Sequence, residues 1–129
     1  ATQRFEHANV HDFGISGITE ADGLACAAPS GFVTRALGNL VSGDFTVNDN
    51  KLYDFLRFLD SSEHIRIEPS SCASFIGPVG LMKYEASKKY CNEHGLDAEK
   101  LANATQIAWA TGGRLVPAEI WDEYLATFI

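Results

Sequence analysis

The sequence has no long apolar run and no cluster of basic residues. No stretch approaches the roughly 18 apolar residues that a bilayer-spanning helix needs, and no basic segment precedes an apolar core typical of a secretory signal. Lys and Arg number 10 against 17 Asp and Glu, which gives a net charge of −7. Nucleic acids and anionic membranes are bound by clustered Lys and Arg. We therefore expect neither a nucleic-acid partner nor a membrane partner.

Cysteine and histidine are also scarce. The three cysteines have no C-x-x-C spacing, which excludes a disulfide framework and a thiolate zinc site, and no basic neighbour favours a thiolate. Free thiols are typical of a reducing compartment, so we expect a cytoplasmic protein. His7 and His11 share a spacing suited to zinc but lie in a stretch without a helical pattern, which disfavours a zinc site. The cysteines are Cys26, Cys72 and Cys91.

Short apolar runs alternate with amphipathic patterns along the 129 residues, of which 46% are hydrophobic. After an irregular lead-in at residues 1–22, the runs "GLACAA", "DFTV", "IRIE" and "TQIAWA" are typical of buried strands. Helical patterns lie between them. This order predicts an α/β fold with a mostly parallel open sheet and helices on both faces.

The start and stop signals place these helices along the chain. One extends from Ser30 to Gly43, and a second begins at Asn48 or Asp49 with an apolar face of Leu52, Phe55, Leu56 and Leu59. Ser70 or Ser71 caps a short turn. A longer helix begins with Pro78 at its first position and continues to His94, with Gly95 after its end. The segments "DAEKLAN" and "PAEIWDEYLATF" are also helical.

Three predicted strand ends carry residues suited to a ligand site. They are "ADG", "IEPSS" and "WATGGRLVP", and in a parallel sheet they meet at one edge. Gly112 and Gly113 have no Cβ, so a flat ligand could approach the backbone closely, and the Thr111 hydroxyl could donate or accept a hydrogen bond. Taken alone, Thr-Gly-Gly is explained at least as well by a tight connection between a strand and a helix.

Four blocks of the sequence together resemble one enzyme family. They are "DGLACAAPSGFVTRAL", "VNDNKLYDFLRFL", "IRIEPSSCASFIGP" and "NATQIAWATGGRLVP". In this order, and over nearly the whole chain, they resemble the carboxyl-terminal part of bacterial D-serine dehydratases, which are pyridoxal-phosphate enzymes of the tryptophan-synthase-β-like fold (fold type II). The resemblance implies that residues 1–129 are a fragment of the large catalytic domain of a lyase that converts D-serine to pyruvate and ammonia by β-elimination.

The resemblance also implies roles for individual residues. Thr111 would contact the pyridine nitrogen of the cofactor, with Gly112 beside it, and Gly23 would allow close approach of the ring. The backbone carbonyls of Leu24 and Ala25 would contribute to a monovalent-cation site. Two interpretations remain open for each of two acidic residues. Asp22 either contacts the substrate or caps its turn. Glu68 either orients a hydrogen bond beside the ligand or is a capping or solvated residue.

Two parts of such an enzyme are not found in the sequence. The five lysines all fall in predicted helices among polar neighbours, so the Schiff-base lysine is expected outside this chain, and no glycine-rich loop is long enough to hold a phosphate. We expect the fragment to be inactive alone, to need the upstream part of the same polypeptide, and to self-associate through uncovered apolar surface. The alternative is a noncatalytic α/β module that binds or senses a small molecule.

Overall fold

The computed structural model describes residues 8–110, 112–113 and 116–126 of the chain. Within these ranges the chain is mainly helical, with two short 3-10 helices before the first α-helix and one between the second and the third. The 3-10 helices span Val10–Phe13, Asp22–Leu24 and Pro69–Phe75. The α-helices are α1 (Gly31–Leu37), α2 (Asp49–Glu63), α3 (Ile76–Lys83), α4 (Glu85–Glu93), α5 (Ala98–Asn103) and α6 (Ala118–Ala126).

The predicted parallel sheet is wrong for the described part of the chain, which contains no β-strand. "GLACAA" instead begins in a 3-10 helix, closed by a hydrogen bond from Leu24 N to the Ala21 carbonyl at 2.8 Å. "DFTV", "IRIE" and "TQIAWA" have no regular secondary structure. The prediction of helices on both faces of a sheet is wrong for the same reason.

The incorrect prediction of strands has a physical cause. A strand is stable only when its N–H and C=O groups pair with a neighbouring strand, and a short apolar run by itself does not distinguish a strand from other buried segments. In "TQIAWA" the side chains of Ile107 and Trp109 are 84% and 82% exposed, so this run is not buried on both faces as predicted. Ala110 at its end packs against the core.

Helix α2 forms where the sequence predicted it. The Asn48 side chain accepts a hydrogen bond from Lys51 N at 3.1 Å and so caps the helix, and His64 ends it in the left-handed conformation at φ 56°. Leu52 and Leu56, which lie one turn apart, are buried, and Phe55 and Leu59 pack beside them. The predicted cap and the predicted apolar face are both confirmed.

Two other helices differ in their limits. Helix α1 is capped by Ser30 as predicted, but it ends at Leu37 and not at Gly43, because Gly38 and Asn39 are poor helix formers. The predicted helix from Pro78 to His94 is in fact α3 and α4, which are separated by an extended Tyr84 at ψ 138°. Pro78 lies in the first turn of α3, where its missing N–H has no intrahelical partner to lose.

The core is formed where α2 packs against the 3-10 helix Pro69–Phe75 and against α6. Cys72 of the 3-10 helix is fully buried there, together with Ile67 before it and Trp121 of α6. Trp121 meets the ring of Tyr124 edge to face, with ring centroids 5.8 Å apart. The 3-10 helix is therefore fixed by apolar contacts, chiefly with α2.

Many large apolar side chains lie outside this core. Phe32 and Leu40, in and after α1, are 74% and 76% exposed, and Phe58 of α2 is also exposed. Surface of this kind is typical of a site that is covered by another part of a protein. No described helix combines the length and the apolar character that crossing a bilayer requires.

Replacing Leu56 should test the core. Leu56 is 1% exposed, and Leu56→Ala should lower the free energy of unfolding by about 3 kcal/mol, because it removes apolar contacts and leaves a cavity. Urea denaturation followed by circular dichroism measures the change. Leu40→Ala is the matched control and should change stability by less than about 0.5 kcal/mol. Equal effects of the two substitutions would contradict this description of the core.

The cysteines should differ in reactivity. Burial raises the pKa of the Cys72 thiol to about 12, so at pH 8 its reactive thiolate is scarce as well as shielded. Cys26 is exposed, and Cys91 is buried. Iodoacetamide at pH 8 should modify Cys26 alone in the native chain and all three cysteines in urea, as peptide mass spectrometry would show. Rapid native labelling of Cys72 would contradict its placement.

Candidate functional site

The candidate site is built around Glu68, at the beginning of the 3-10 helix Pro69–Phe75. The fixed φ of Pro69 suits the first position of a helix, and the Glu68 carbonyl accepts a hydrogen bond from Ser71 N at 3.0 Å. Pro69 and Cys72 are buried, so the segment is anchored in the core. Glu68 itself is half-buried at the surface of this anchored segment.

The Glu68 carboxylate is held by a neighbouring hydroxyl. Ser70 Oγ donates a hydrogen bond to Glu68 Oε1 over 2.8 Å, and Ser70 is 8% exposed. The Glu68 side chain makes no capping hydrogen bond to the helix that it precedes. Because a hydrogen bond to a charged acceptor is stronger than one between neutral groups, this contact restricts the position of the carboxylate.

Gly112 and Gly113 lie directly against this segment. A Cβ atom on Gly112 would be 2.7 Å from Glu68 Oε1 and 2.7 Å from Ser71 Oγ, and one on Gly113 would be 2.6 Å from the Glu68 backbone nitrogen. Their φ angles are 127° and 97°, which residues with a side chain rarely adopt. Glycine is therefore required at both positions for two reasons, the close contact and the positive φ angle.

Gly23 also lies close to this segment. A Cβ atom on Gly23 would lie 2.9 Å from Ser70 Oγ and 3.7 Å from Glu68 Oε1. Gly23, Glu68 and Gly112, which come from three distant parts of the sequence, thus meet at one place. We call Gly23, Glu68, Ser70, Ser71 and Gly112 the glycine–serine seam. The sequence predicted that these three segments meet at the edge of a parallel sheet. Their described residues meet here, but they do not form a sheet.

Tyr124 of α6 is influenced by several acidic side chains, and Glu68 of the seam is one of them. Burial raises the pKa of Tyr124, and the negative charges of Asp22, Glu20 and Glu68 raise it further. Tyr124 also faces Tyr53, with ring centroids 6.0 Å apart. The seam itself combines a carboxylate with serine hydroxyls, a set that can accept and donate hydrogen bonds without a strong base.

The remaining predicted residues fall in several places. Thr111 lies outside the described residues. Leu24 and Ala25 lie at the end of the 3-10 helix Asp22–Leu24, where the Leu24 carbonyl accepts a hydrogen bond from Cys26 N at 2.7 Å. Asp22 is exposed at the start of that helix. No group of three or more His, Cys, Asp and Glu side chains suited to a metal ion occurs in the described ranges.

Each lysine lies on an α-helix and is exposed. Lys51 pairs with Asp54 at 2.6 Å, and Lys89 lies 3.9 Å from Glu93. Lys100 Nζ donates to the Gly95 carbonyl at 2.6 Å. None of these positions is among the residues of the seam. The other two lysines are Lys83 and Lys88.

Sequence reasoning missed the contacts of three residues. Ser70 and Ser71 were interpreted as candidate caps within the predicted strand end "IEPSS", and their closeness to Glu68 and Gly112 was not predicted. Tyr124 was predicted as part of the helical segment "PAEIWDEYLATF". The signal for Ser70 is its position two residues after a carboxylate, across a proline that starts a helix. Tyr124 had no such signal, because its neighbours Asp22 and Glu68 are distant in the sequence.

Gly112→Ala should disturb the seam. The added Cβ would contact Glu68 and Ser71 and would occupy a strained φ, so we expect a loss of about 1 to 3 kcal/mol in the free energy of unfolding. Gly43→Ala is the control, because a Cβ there meets nothing within 4 Å and the backbone is unstrained. Urea denaturation of both variants measures the difference. A Gly112→Ala variant as stable as the control would contradict the close approach.

Comparison with known proteins relates the chain to one group of enzymes. It is 51% identical over 124 residues to a "Probable D-serine dehydratase" of Fusobacterium nucleatum, covering 96% of this chain and 28% of that protein. It is 47% identical over 118 residues to the "D-serine dehydratase" of Escherichia coli O1:K1, covering 92% of this chain and 26% of that protein. No family model matches.

The chain thus spans about a quarter of the length of the curated relatives that it matches. Identities near 50% over nearly the whole of this chain establish common ancestry with that quarter. The segment in question is the last part of the longer relatives. The chain is therefore homologous, over nearly its whole length, to the carboxyl-terminal part of D-serine dehydratases.

Proposed function

We propose that this chain forms one wall of the active site of a longer, pyridoxal-phosphate-dependent D-serine dehydratase, which converts D-serine to pyruvate and ammonia. The observation that carries the proposal is the glycine–serine seam, where Gly23, Glu68 and Gly112 meet. The names of the relatives support the substrate. The free cysteines of the chain favour a cytoplasmic location.

The residues at the seam fit a flat, polar cofactor. The Cβ positions of Gly112 and Gly23 are filled by Glu68, Ser70 and Ser71. Both glycines are nevertheless exposed, which leaves another face of their backbone open to a planar ring. Thr111 immediately precedes Gly112, and its hydroxyl is suited to a hydrogen bond with the pyridine nitrogen. When bound, pyridoxal phosphate supplies an electron sink for the bond cleavage at the substrate.

A neutral partner for the pyridine nitrogen favours elimination. A threonine hydroxyl is too weak an acid to keep that nitrogen protonated, whereas a carboxylate would stabilise its protonated form. With Thr111 as its partner, the cofactor is therefore a weaker electron sink, and a weaker sink suits elimination better than transamination. The Glu68 carboxylate at the seam already accepts a hydrogen bond from the Ser70 hydroxyl.

The acids of the seam would act on the substrate side. Asp22 directly precedes Gly23, whose Cβ position lies 3.7 Å from Glu68 Oε1, so the two acids belong to adjoining segments. We assign them to the binding of the amino and hydroxyl groups of D-serine, which are hydrogen-bond donors. The backbone carbonyls of Leu24 and Ala25, exposed beside Asp22, are the candidates for a monovalent-cation site.

The rest of the site would come from the upstream part of the same polypeptide. Schiff-base formation needs a lysine that is shielded from water, whereas every lysine of this chain lies on an exposed helical position. The apolar side chains of Phe32, Leu40 and Trp109 are exposed in the isolated chain. We propose that the upstream part covers them and that the chain alone self-associates through them.

The decisive experiment compares the full-length protein with this chain alone. Both are supplied with pyridoxal phosphate and with D-serine or L-serine, and pyruvate release is measured with lactate dehydrogenase. The full-length protein should release pyruvate from D-serine and far less from L-serine. This chain alone should release none, because it has no lysine at the seam.

Three results would contradict the proposal in different ways. Pyruvate release by this chain alone would show that the chemistry does not need the upstream part. A preference for L-serine would overturn the assigned substrate. A full-length protein with neither activity nor the visible absorbance of bound cofactor would favour the alternative, a noncatalytic module that binds a small molecule.

A further inference from the structure

We infer that Ser70 is a positioning residue, which holds the Glu68 carboxylate at the glycine–serine seam in the orientation that the bound cofactor and substrate require. The inference rests on the proposed function, since it concerns the same site. It adds Ser70 to the proposed site as a residue that contacts Glu68 and not the ligand.

The contacts of Ser70 define this role. Its Oγ donates to Glu68 Oε1 at 2.8 Å, and the same oxygen lies 2.9 Å from the position that a Cβ on Gly23 would take. Ser70 Oγ is therefore in contact with the carboxylate and also fills the space beside the backbone of Gly23.

The Glu68 carboxylate is limited on its other side by Gly112. A Cβ on Gly112 would be 2.7 Å from Oε1 and 2.8 Å from the carboxyl carbon, so the carboxylate occupies the space that the missing side chain leaves. Oε1 thus lies close to two glycine backbones and accepts a hydrogen bond from one buried serine. Thr111, the proposed partner of the pyridine nitrogen, is the residue next to Gly112.

Ser70 is itself fixed by the core. It is 8% exposed, and its neighbour Cys72 in the same 3-10 helix is fully buried. Few rotamers are open to a hydroxyl in such a position, so the orientation of the carboxylate follows from packing. Partners of this kind commonly change ligand affinity or activity by about 10- to 100-fold when they are removed, as is known for the outer shell of metal sites.

The test is a double-mutant cycle in the full-length protein, with the four forms wild type, Ser70→Ala, Glu68→Ala and the double variant. Two quantities are measured in every form without any need for turnover: the dissociation constant of pyridoxal phosphate and the absorption maximum of the bound cofactor. The values of kcat and KM for D-serine are added for each active form.

Ser70→Ala should weaken cofactor affinity or lower kcat/KM by about tenfold and shift the absorption maximum, because the freed carboxylate changes its position. In the Glu68→Ala background the same substitution should have an effect of less than about twofold, because Ser70 then has no carboxylate to hold. This lack of additivity is what distinguishes positioning from general stabilisation.

Ser87→Ala is the matched control. Ser87 is as buried as Ser70, at 9% exposure, but it lies on α4, away from the seam. It should leave the absorption maximum and the kinetic constants unchanged, whatever it does to the melting temperature. If Ser70→Ala resembled Ser87→Ala, or if its effect persisted in full without Glu68, the inference would be overturned. A wild-type protein that does not bind pyridoxal phosphate would instead contradict the proposed function itself.

Discussion

Gly112 and Gly113 lie so close to Ile67 and Glu68 that no Cβ atom fits between the two segments, and the candidate site depends on this contact. It brings residues more than forty positions apart in the sequence to the same point. It also confines the Glu68 carboxylate, which would otherwise have the freedom of a surface side chain. The hydrogen bond from Ser70 then selects one orientation within the remaining space.

The site and the core share one short element. The 3-10 helix Pro69–Phe75 presents Ser70 and Ser71 to the seam and buries Cys72 against α2. Because 3-10 helices have weak hydrogen-bond geometry, an isolated one has little stability of its own. Its conformation comes from the apolar contacts of α2 and α6, so the geometry of the seam is an outcome of core packing.

Local signals predicted local structure well. Asn48 followed by Leu52 and Leu56 specifies the start and the buried face of α2, since a cap and a repeat of four residues both act within one helix. Strands could not be predicted in this way, because a strand depends on partners elsewhere in the chain. "TQIAWA" has the composition of a buried strand, yet the structure leaves Ile107 and Trp109 exposed.

The candidate site was partly visible in the sequence. Glu-Pro and Thr-Gly-Gly mark Glu68 and Gly112, whereas the relation between Ser70 and Glu68 appears only when the turn of the 3-10 helix is known. Tyr124 could not be found, because its proximity to Asp22 is a product of tertiary packing.

The seam also has a genetic consequence. Every codon change that alters glycine adds a Cβ atom, and at Gly112 and Gly113 that atom would collide with Glu68 whatever the rest of the new side chain is. Only synonymous changes of these two codons would therefore leave the contact intact, unless the segment at Ile67 and Glu68 moves as well. Change at one segment would have to await change at the other, so the two should evolve as a pair.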